Sequence, residues 1–246
     1  VLEARRVAEG PAGRNSGFMI DLPHELNSSS YTAADGANAD EIRLNRLGID
    51  YAEALARRYQ LPRAVFHRGG RVTGAATDAG MAHLHAYQEQ LRQQGEASRT
   101  LDAEQCQHLT GTTFYRQGLY TPGAAVIQPA AFVRALAEGL RGQLYEDSPV
   151  SDFSFRGGYW HLTTPGAVVR APKVILAVNG HVQSFGFYPK QLLHVFTYAS
   201  MTRALTDDEC DALGGEPDWG MLPADPMGTT VRRISNYLGG GARLVI

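Results

Sequence analysis

Apolar residues recur every three or four positions in several stretches of the chain, which is the spacing of an amphipathic helix. This pattern predicts helices over 37–59, 78–94, 102–111, 129–144 and 207–213. Pro62 and Gly95 stop the first two of these helices. Asp102 is a suitable N-cap for the third, and Pro129 suits the first turn of the fourth.

Alternating or continuous apolar runs between these helices predict strands. Turn residues predict a hairpin over 64–75 and a three-stranded meander over 150–170. The almost continuous apolar run 173–178 predicts a strand buried on both faces of a parallel sheet. Other predicted strands cover 1–4, 113–120, 191–203, 229–237 and 243–246, with loops at 26–30 and 220–228. The order of elements predicts an α+β (mixed α/β) fold with two interleaved domains.

Composition narrows the classes of function. The 246 residues are 43% hydrophobic and 20% charged, which is enough for one or two cores. The net charge of −2 comes without a basic block, so we expect no nucleic-acid partner. No apolar run approaches the roughly 20 residues of a membrane span. Two distant cysteines predict neither a disulfide framework nor a metal site, and a cytoplasmic location is expected.

The first candidate for chemistry is at the start of the chain. Glu3 ends an apolar run, and a carboxylate there can accept hydrogen bonds from both hydroxyls of a ribose. The glycine loop, defined here as residues 10–17, follows it. Its glycines let backbone amides approach a ligand closely, and its polar side chains add donors. The candidate cofactor-binding residues of this loop are Gly13, Arg14, Asn15, Ser16 and Gly17.

Several separated segments resemble one family when they are taken together. The segments are Val-Leu-Glu-Ala (1–4), Gly-Arg-Asn-Ser-Gly-Phe (13–18), Ile-Gln-Pro-Ala-Ala-Phe-Val-Arg-Ala-Leu (127–136), Ser-Pro-Val (148–150) and Val-Ile-Leu-Ala-Val-Asn-Gly (174–180). Their order resembles the FAD-dependent amine and amino-acid oxidoreductases of the D-amino-acid oxidase, glycine oxidase and sarcosine oxidase group. The Arg-Asn-x-Gly loop is most similar to the γ-glutamylputrescine oxidoreductase-like branch.

The resemblance implies roles for residues at these positions. Glu3 would bind the adenosine ribose, and residues 13–17 would pass near the flavin. Val150 would present backbone groups to the adenine. Ala177, Asn179 and Gly180 would lie beside the cofactor at the end of the predicted strand 173–178. The implied cofactor is FAD.

The resemblance also implies a division into domains. A partial FAD-binding, Rossmann-like domain would comprise 1–62 and 125–188, and a β-rich substrate domain would comprise 63–124 and 189–246. The chain begins inside an apolar run and lacks the Gly-x-Gly-x-x-Gly turn that binds the pyrophosphate. We therefore expect a fragment of a longer enzyme that is itself inactive and binds FAD weakly or not at all.

The implied reaction is oxidation of a C–N bond of a small amine or amino acid by hydride transfer to the flavin. No acid–base residue is required, so no catalytic residue is assigned. Arg232 or Arg233 would grip a substrate carboxylate, and only one of two adjacent strand residues can face the pocket. Tyr198 and Tyr237 would line it.

Two alternatives stay open: a binding domain that keeps the fold without FAD, and a flavoprotein with other redox chemistry. The sequence also predicts dimerisation through the exposed edge of a strand at 174–178.

Overall fold

The structure is a computed structural model, and it describes residues 1–23, 37–140, 142, 144–225, 228–236 and 239–246. In this part of the chain the α-helices are α1 (Ala37–Arg58), α2 (Asp78–Gln93), α3 (Ala103–Thr110), α4 (Pro129–Glu138) and α5 (Asp207–Leu213), and a 3-10 helix spans Asn179–Phe185. The strands are β1 (Phe18–Met19), β2 (Phe66–His67), β3 (Arg71–Ala75), β4 (Arg99–Leu101), β5 (Gln117–Thr121), β6 (Ala125–Ile127), β7 (Asp152–Arg156), β8 (Tyr159–Thr163), β9 (Val168–Ala171), β10 (Trp219–Pro223), β11 (Val231–Ile234) and β12 (Arg243–Val245). The α+β class predicted from the sequence is confirmed.

Three sheets organise the described strands. The largest has six strands in the order β12-β11-β10-β3-β5-β4, antiparallel except between β10 and β3. A small antiparallel sheet has the order β1-β6-β2, and β7-β8-β9 form the predicted meander. All six strands of the largest sheet lie within 63–124 and 189–246. The division of the chain into two domains stays a prediction.

The helix predictions are confirmed, and their ends follow local rules. Asp102 caps α3 by accepting from the Gln105 amide, and the Gln105 side chain accepts from the Asp102 amide in return. Pro129 occupies the first turn of α4, as predicted. The predicted end of α4 at residue 144 is wrong, because the helix ends at Glu138. Gly139 then brings the backbone against the Tyr59 hydroxyl, where an added Cβ would collide.

The predicted hairpin over 64–75 is wrong. Its two halves are strands, but β2 pairs with β6, whereas β3 pairs with β5 and β10. Gly70 turns the chain with φ of +73° and donates its amide to the Ala124 carbonyl, 3.0 Å away. The turn therefore sends consecutive strands into different sheets, which alternation of side chains does not reveal.

The strand predicted over 173–178 is also wrong. These residues are irregular, no described strand pairs with them, and Ile175 is 91% exposed. A strand forms only where neighbours satisfy its backbone groups, so an apolar run is not sufficient. The run 191–203 is also irregular, apart from a bridge between Met201 and Val245 that is flanked by backbone hydrogen bonds of Ser200 and Thr202. Dimerisation through 174–178 stays a prediction, but the strand on which it rested is absent.

The loop predicted over 220–228 is wrong in its first part. Residues 219–223 form β10, a central strand that pairs in parallel with β3 and antiparallel with β11. Met221 on this strand is fully buried against Trp219 and Tyr115. Two predicted strands are also shorter than expected, since 1–4 makes only a bridge at Leu2 and β5 begins at Gln117. The predicted loop at 26–30 lies outside the described residues.

No helix among the described residues is both long enough and apolar enough to cross a membrane.

The buried thiol of Cys106 gives a test of how α3 packs in the fold. Burial, together with the charge of Asp102, raises the pKa of the Cys106 thiol from 9.0 to about 11. The folded state therefore retains this proton longer than the unfolded chain, so we expect this group to lower the stability as pH rises from about 9 towards 11. At pH 8, a disulfide reagent should modify Cys106 only on unfolding, whereas the half-buried Cys210 reacts first.

Thiol counting checks this expectation. Cys210→Ala should remove the fast-reacting thiol from the native protein and leave the slow one. If Cys106 instead reacts quickly in the native Cys210→Ala variant, its burial against β5 is incorrect.

Candidate cofactor site

The segment that carries Glu3 lies beside a segment distant in sequence. Leu2 forms a parallel bridge with Tyr145, and the Glu3 amide donates to the Tyr145 carbonyl at 2.9 Å. The Ser148 amide donates to the Glu3 carbonyl at 2.8 Å. The backbone of Glu3 is therefore bonded to Ser148, which lies two residues before Val150 in the paired segment. The Glu3 segment therefore pairs with the segment that leads into Val150, and the roles of both residues toward the adenosine stay predictions.

The carboxylate of Glu3 is half-buried, and its Oε1 accepts from the Arg5 amide at 3.2 Å. Among the described residues, no hydrogen bond reaches its other oxygen. The neighbouring turn is tied down separately, since the Val7 amide donates to Glu146 at 2.6 Å. A half-buried carboxylate with one uncommitted oxygen, held between two anchored segments, can accept hydrogen bonds from a diol.

The glycine loop is shaped by its own hydrogen bonds. The amides of Gly13 and Arg14 donate to the carbonyls of Gly10 and Pro11. The Asn15 side chain donates to the carbonyls of Pro11 and Ala12 at 3.1 and 3.0 Å and accepts from the Gly17 amide at 2.9 Å. The side-chain donors of Asn15, which the sequence analysis assigned to a ligand, are therefore used within the loop itself. The side chains of Arg14 and Ser16 are exposed.

Gly17 fixes the end of this loop against β6. It is buried with φ of +79°, a conformation that residues with a side chain rarely adopt. Its carbonyl accepts from the Ile127 amide at 2.7 Å. A Cβ at this position would collide with the Ile127 carbonyl oxygen and with Nη1 of Arg232. Only glycine fits at position 17, because β6 and the Arg232 guanidinium lie too close to this backbone for a side chain.

Arg232 reaches this junction from β11. Its Nη1 donates to the Ile127 carbonyl at 2.7 Å and to the Ser16 carbonyl at 3.1 Å. The residue is 6% exposed, and its buried Nε has no hydrogen-bond partner among the described residues. Burial lowers the pKa of Arg232, and the charge of Asp218 opposes this change. Burial in turn raises the pKa of Asp218, which Arg232 and Arg63 partly counteract.

Arg233 lies on the other side of the same strand. It is 5% exposed and donates to the carbonyls of Gly214 and Cys210. The expectation that only one of the two arginines can face a given pocket agrees with these opposed contacts. Of the two, Arg232 is the one that touches the glycine loop.

The remaining sequence-derived candidates lie apart from this junction. Asn179 and Gly180 begin the 3-10 helix, and Ala177 is exposed just before it. The hydrogen bond between the Gly180 amide and the Asn179 side chain stays within this turn, and Gly180 packs on the His194 ring. Tyr198 is 96% exposed on an irregular segment. Tyr237 lies outside the described residues.

Sequence reasoning missed two polar residues near these elements, the half-buried Asp218 and the buried Arg71. Asp218 precedes β10 as an isolated acid, and no local pattern marks it as a partner of Arg232. Arg71 on β3 is buried and donates to Tyr87 at 2.6 Å and Thr121 at 3.3 Å. It follows two glycines and another arginine, so the sequence favours a solvated turn there. The alternation of side chains along β3 was the sequence feature that could have indicated which face of the sheet carries Arg71.

A cleft of about 730 Å³ lies elsewhere, between the ends of α1 and α4. Its lining includes Arg58, Tyr59 and Glu138, and none of the candidate site residues. The candidate cofactor site is therefore a set of loop and strand-end contacts distinct from this cleft.

Comparison with known families decides what class of protein carries this arrangement. The family described as "DAO: FAD dependent oxidoreductase" matches residues 1–243. The chain belongs to the DAO family of FAD-dependent oxidoreductases. The resemblance to the D-amino-acid oxidase and glycine oxidase group is thereby confirmed, whereas the γ-glutamylputrescine oxidoreductase-like branch stays a prediction.

Solved structures of DAO-type proteins share the fold. Glycine oxidase from Geobacillus kaustophilus is 17% identical with a TM-score of 0.69, and the match covers 99% of this chain and 62% of that one. Glycine oxidase from Bacillus cereus is 14% identical with a TM-score of 0.70, covering 99% and 64%. L-α-glycerophosphate oxidase from Mycoplasma pneumoniae, solved with FAD bound, is 15% identical with a TM-score of 0.62, covering 99% and 63%.

At these identities the structural likeness shows the fold alone. The chain spans about 62% of the length of the Geobacillus glycine oxidase. No curated protein matches the sequence.

The residues of this DAO-family chain fit FAD at two places. Glu3 and the backbone near Val150 form a polar edge suited to an adenosine. The glycine loop suits the polar edge of the flavin ring, and the buried Nε of Arg232 lies near this loop. Ala177, Asn179 and Gly180 make no described hydrogen bond to either place, so their contact with FAD stays a prediction.

Proposed function

We propose that this chain belongs to an FAD-dependent oxidoreductase that oxidises the C–N bond of a small amine or amino acid. The observation that carries the proposal is the pairing of the Glu3 segment with residues 145–148, in a chain whose residues 1–243 match the DAO family.

In this proposal, different residues contact the adenosine end and the flavin end of the cofactor. Glu3 accepts hydrogen bonds from the ribose hydroxyls, and the backbone at Val150 borders the adenine. The backbone of residues 13–17 borders the flavin, with Arg14 and Ser16 exposed on the same loop. FAD, when bound, supplies the two-electron acceptor that the side chains lack. The chain's own residues orient the substrate and exclude water.

The amino-acid class of substrate has support from the neighbours. Two of the solved neighbours described above are glycine oxidases. In such a reaction the substrate loses two electrons and two protons to give an imine, which water hydrolyses. Oxidation of a C–O bond is the second candidate, because a solved neighbour is a glycerophosphate oxidase.

Replacement of Glu3 tests the cofactor half of the proposal. Glu3→Gln should weaken FAD binding about tenfold, since a neutral amide loses a charge-assisted hydrogen bond to the ribose. The measurement is the change in FAD fluorescence on titration with protein, which also detects the weak binding expected of this chain. Glu9→Gln is the matched control, because Glu9 is an exposed acid seven residues before Ser16.

Equal dissociation constants for the two variants would contradict the role of Glu3. With FAD present in excess and oxygen removed, the same protein is then mixed with amines, amino acids or glycerol 3-phosphate. Bleaching of the flavin by amino acids supports C–N oxidation, and bleaching by glycerol 3-phosphate alone supports the second candidate. Binding of FAD without bleaching by any of these compounds would contradict catalysis by this chain, and would agree equally with an inactive fragment of an enzyme and with a non-catalytic domain.

A further inference from the structure

One guanidinium joins three segments that are far apart in sequence. Arg232 leaves β11 and donates from Nη1 to the carbonyls of Ser16 and Ile127. Ser16 is 216 residues away along the chain, and Ile127 on β6 is 105 residues away. A single side chain therefore ties the glycine loop to the small sheet and to the six-stranded sheet.

This contact is central to how the loop is held. The hydrogen bonds of Gly13, Arg14 and Asn15 stay within the loop and shape it without attaching it. Attachment comes from its last residues, where the Ile127 amide donates to the Gly17 carbonyl and the strand that follows, β1, pairs with β6. Arg232 donates to the carbonyl of the same residue, Ile127, and to the carbonyl of Ser16, the residue before Gly17. Loop and strand are thus joined at one point from two directions.

The charge of Arg232 strengthens this attachment. Hydrogen bonds from a charged donor are about twice as strong as neutral ones, and a guanidinium stays charged even when it is buried. The Asp218 charge favours the charged form, although no ion pair within 4.0 Å joins the two among the described residues. The guanidinium is therefore committed to backbone carbonyls and not neutralised by direct contact.

We propose that Arg232 is a positioning residue that clamps the glycine loop to β6 and so determines the affinity for the flavin half of FAD. It acts through the Ser16 carbonyl and through Gly17, and it does not need to touch the cofactor. The adenosine half is held independently, by the Glu3 segment and residues 145–150. This inference rests on the proposed function for its ligand, but not for the clamp itself.

The test compares neighbouring arginines of equal burial. Arg232→Met removes the clamp, and Arg232→Lys keeps a charge with fewer donors. Arg233→Met is the matched control, because that side chain bonds to Gly214 and Cys210 on the other side of β11. Hydrogen exchange at the Ile127 amide reports on loop attachment without any ligand, with β5 amides as the reference. Equilibrium titrations with FAD and with ADP then separate the flavin half from the adenosine half.

We expect Arg232→Met to accelerate exchange at Ile127 about tenfold and to weaken FAD about tenfold, with ADP affinity and β5 exchange unchanged. Arg232→Lys should recover part of both effects, and Arg233→Met should show neither. Equal effects of the two methionine variants, or equal weakening of FAD and ADP, would overturn the proposal.

The ligand-free measurement separates this inference from the proposed function. If the unsubstituted chain binds neither FAD nor ADP, the cofactor site and the affinity half of the inference are both overturned. Exchange at Ile127 still decides whether the clamp exists. If Arg232→Met does not fold, the decision passes to Arg232→Lys, for which exchange equal to that of the unsubstituted protein would overturn the clamp.

Discussion

Replacing Arg46 with methionine is expected to destabilise the protein by about 3 kcal/mol, because it leaves a buried carboxylate without its partner. The carboxylate belongs to Asp21, which is 0% exposed. Its Oδ2 accepts from Nε and Nη2 of Arg46 at 3.2 and 3.1 Å. Its Oδ1 has no partner among the described residues. Among the described residues, Arg46 therefore supplies both hydrogen bonds that the Asp21 carboxylate accepts.

The magnitude follows from the surroundings of the pair. The Arg46 side chain is 39% exposed and also donates to Glu96 at 2.6 Å, so water and a second acid share its charge. Removing one partner of a fully buried pair costs about 3–5 kcal/mol, and partial exposure places this one at the lower end. The methionine side chain still covers the apolar surroundings, so the loss is mainly electrostatic.

Urea unfolding of matched variants measures this effect. Arg43→Met is the control on the same helix, because Arg43 pairs with Asp40 where both side chains are largely exposed. Its effect should be within about 0.5 kcal/mol. The double variant Asp21→Asn/Arg46→Met should be more stable than Arg46→Met alone, since it buries no charge. Equal losses for Arg43→Met and Arg46→Met would contradict the importance of this ion pair.

The parts of the fold that depend on neighbouring residues could be predicted from the sequence. Asp102 and Gln105 form the capping box of α3, and Gly157 and Gly158 form the turn between β7 and β8. These features use side chains within four residues of each other, so spacing is sufficient. The pairing of strands that are distant in sequence was not predictable in this way. Phe66 and Arg71 look like the two halves of a hairpin, yet they enter different sheets.

The same distinction applies to the candidate site. Glu3 and the glycine loop are local motifs, so their positions could be predicted and their neighbours could not. The hydrogen bond between Arg232 and Ser16 spans 216 residues, and no periodicity encodes it. Asp218 was missed because a lone acid before a strand usually lies in solvent. The prediction of a strand over 173–178 was wrong for the opposite reason. An apolar run predicts a strand even where no described neighbour pairs with it.

Replacing Gly17 with alanine is expected to destabilise the protein by about 3 kcal/mol and to weaken FAD binding. A non-glycine residue at φ of +79° costs roughly 1 kcal/mol or more, and overpacking adds about 1–3 kcal/mol. The added methyl would meet the Ile127 carbonyl oxygen, which is backbone and cannot rotate away. Either β6 or the loop must then shift, and both hydrogen bonds of Arg232 lie at that point.

Gly10→Ala is the matched control, because Gly10 lies in the same loop with nothing within 4 Å of an added Cβ. Its effect on the urea midpoint should be within about 0.5 kcal/mol. In the double variant Gly17→Ala/Arg232→Met, the methyl still meets the Ile127 carbonyl, but the Arg232 bonds are already lost. The two changes should therefore cost less together than the sum of their separate effects. Strict additivity, or equal effects at Gly10 and Gly17, would show that the loop is not held at this junction.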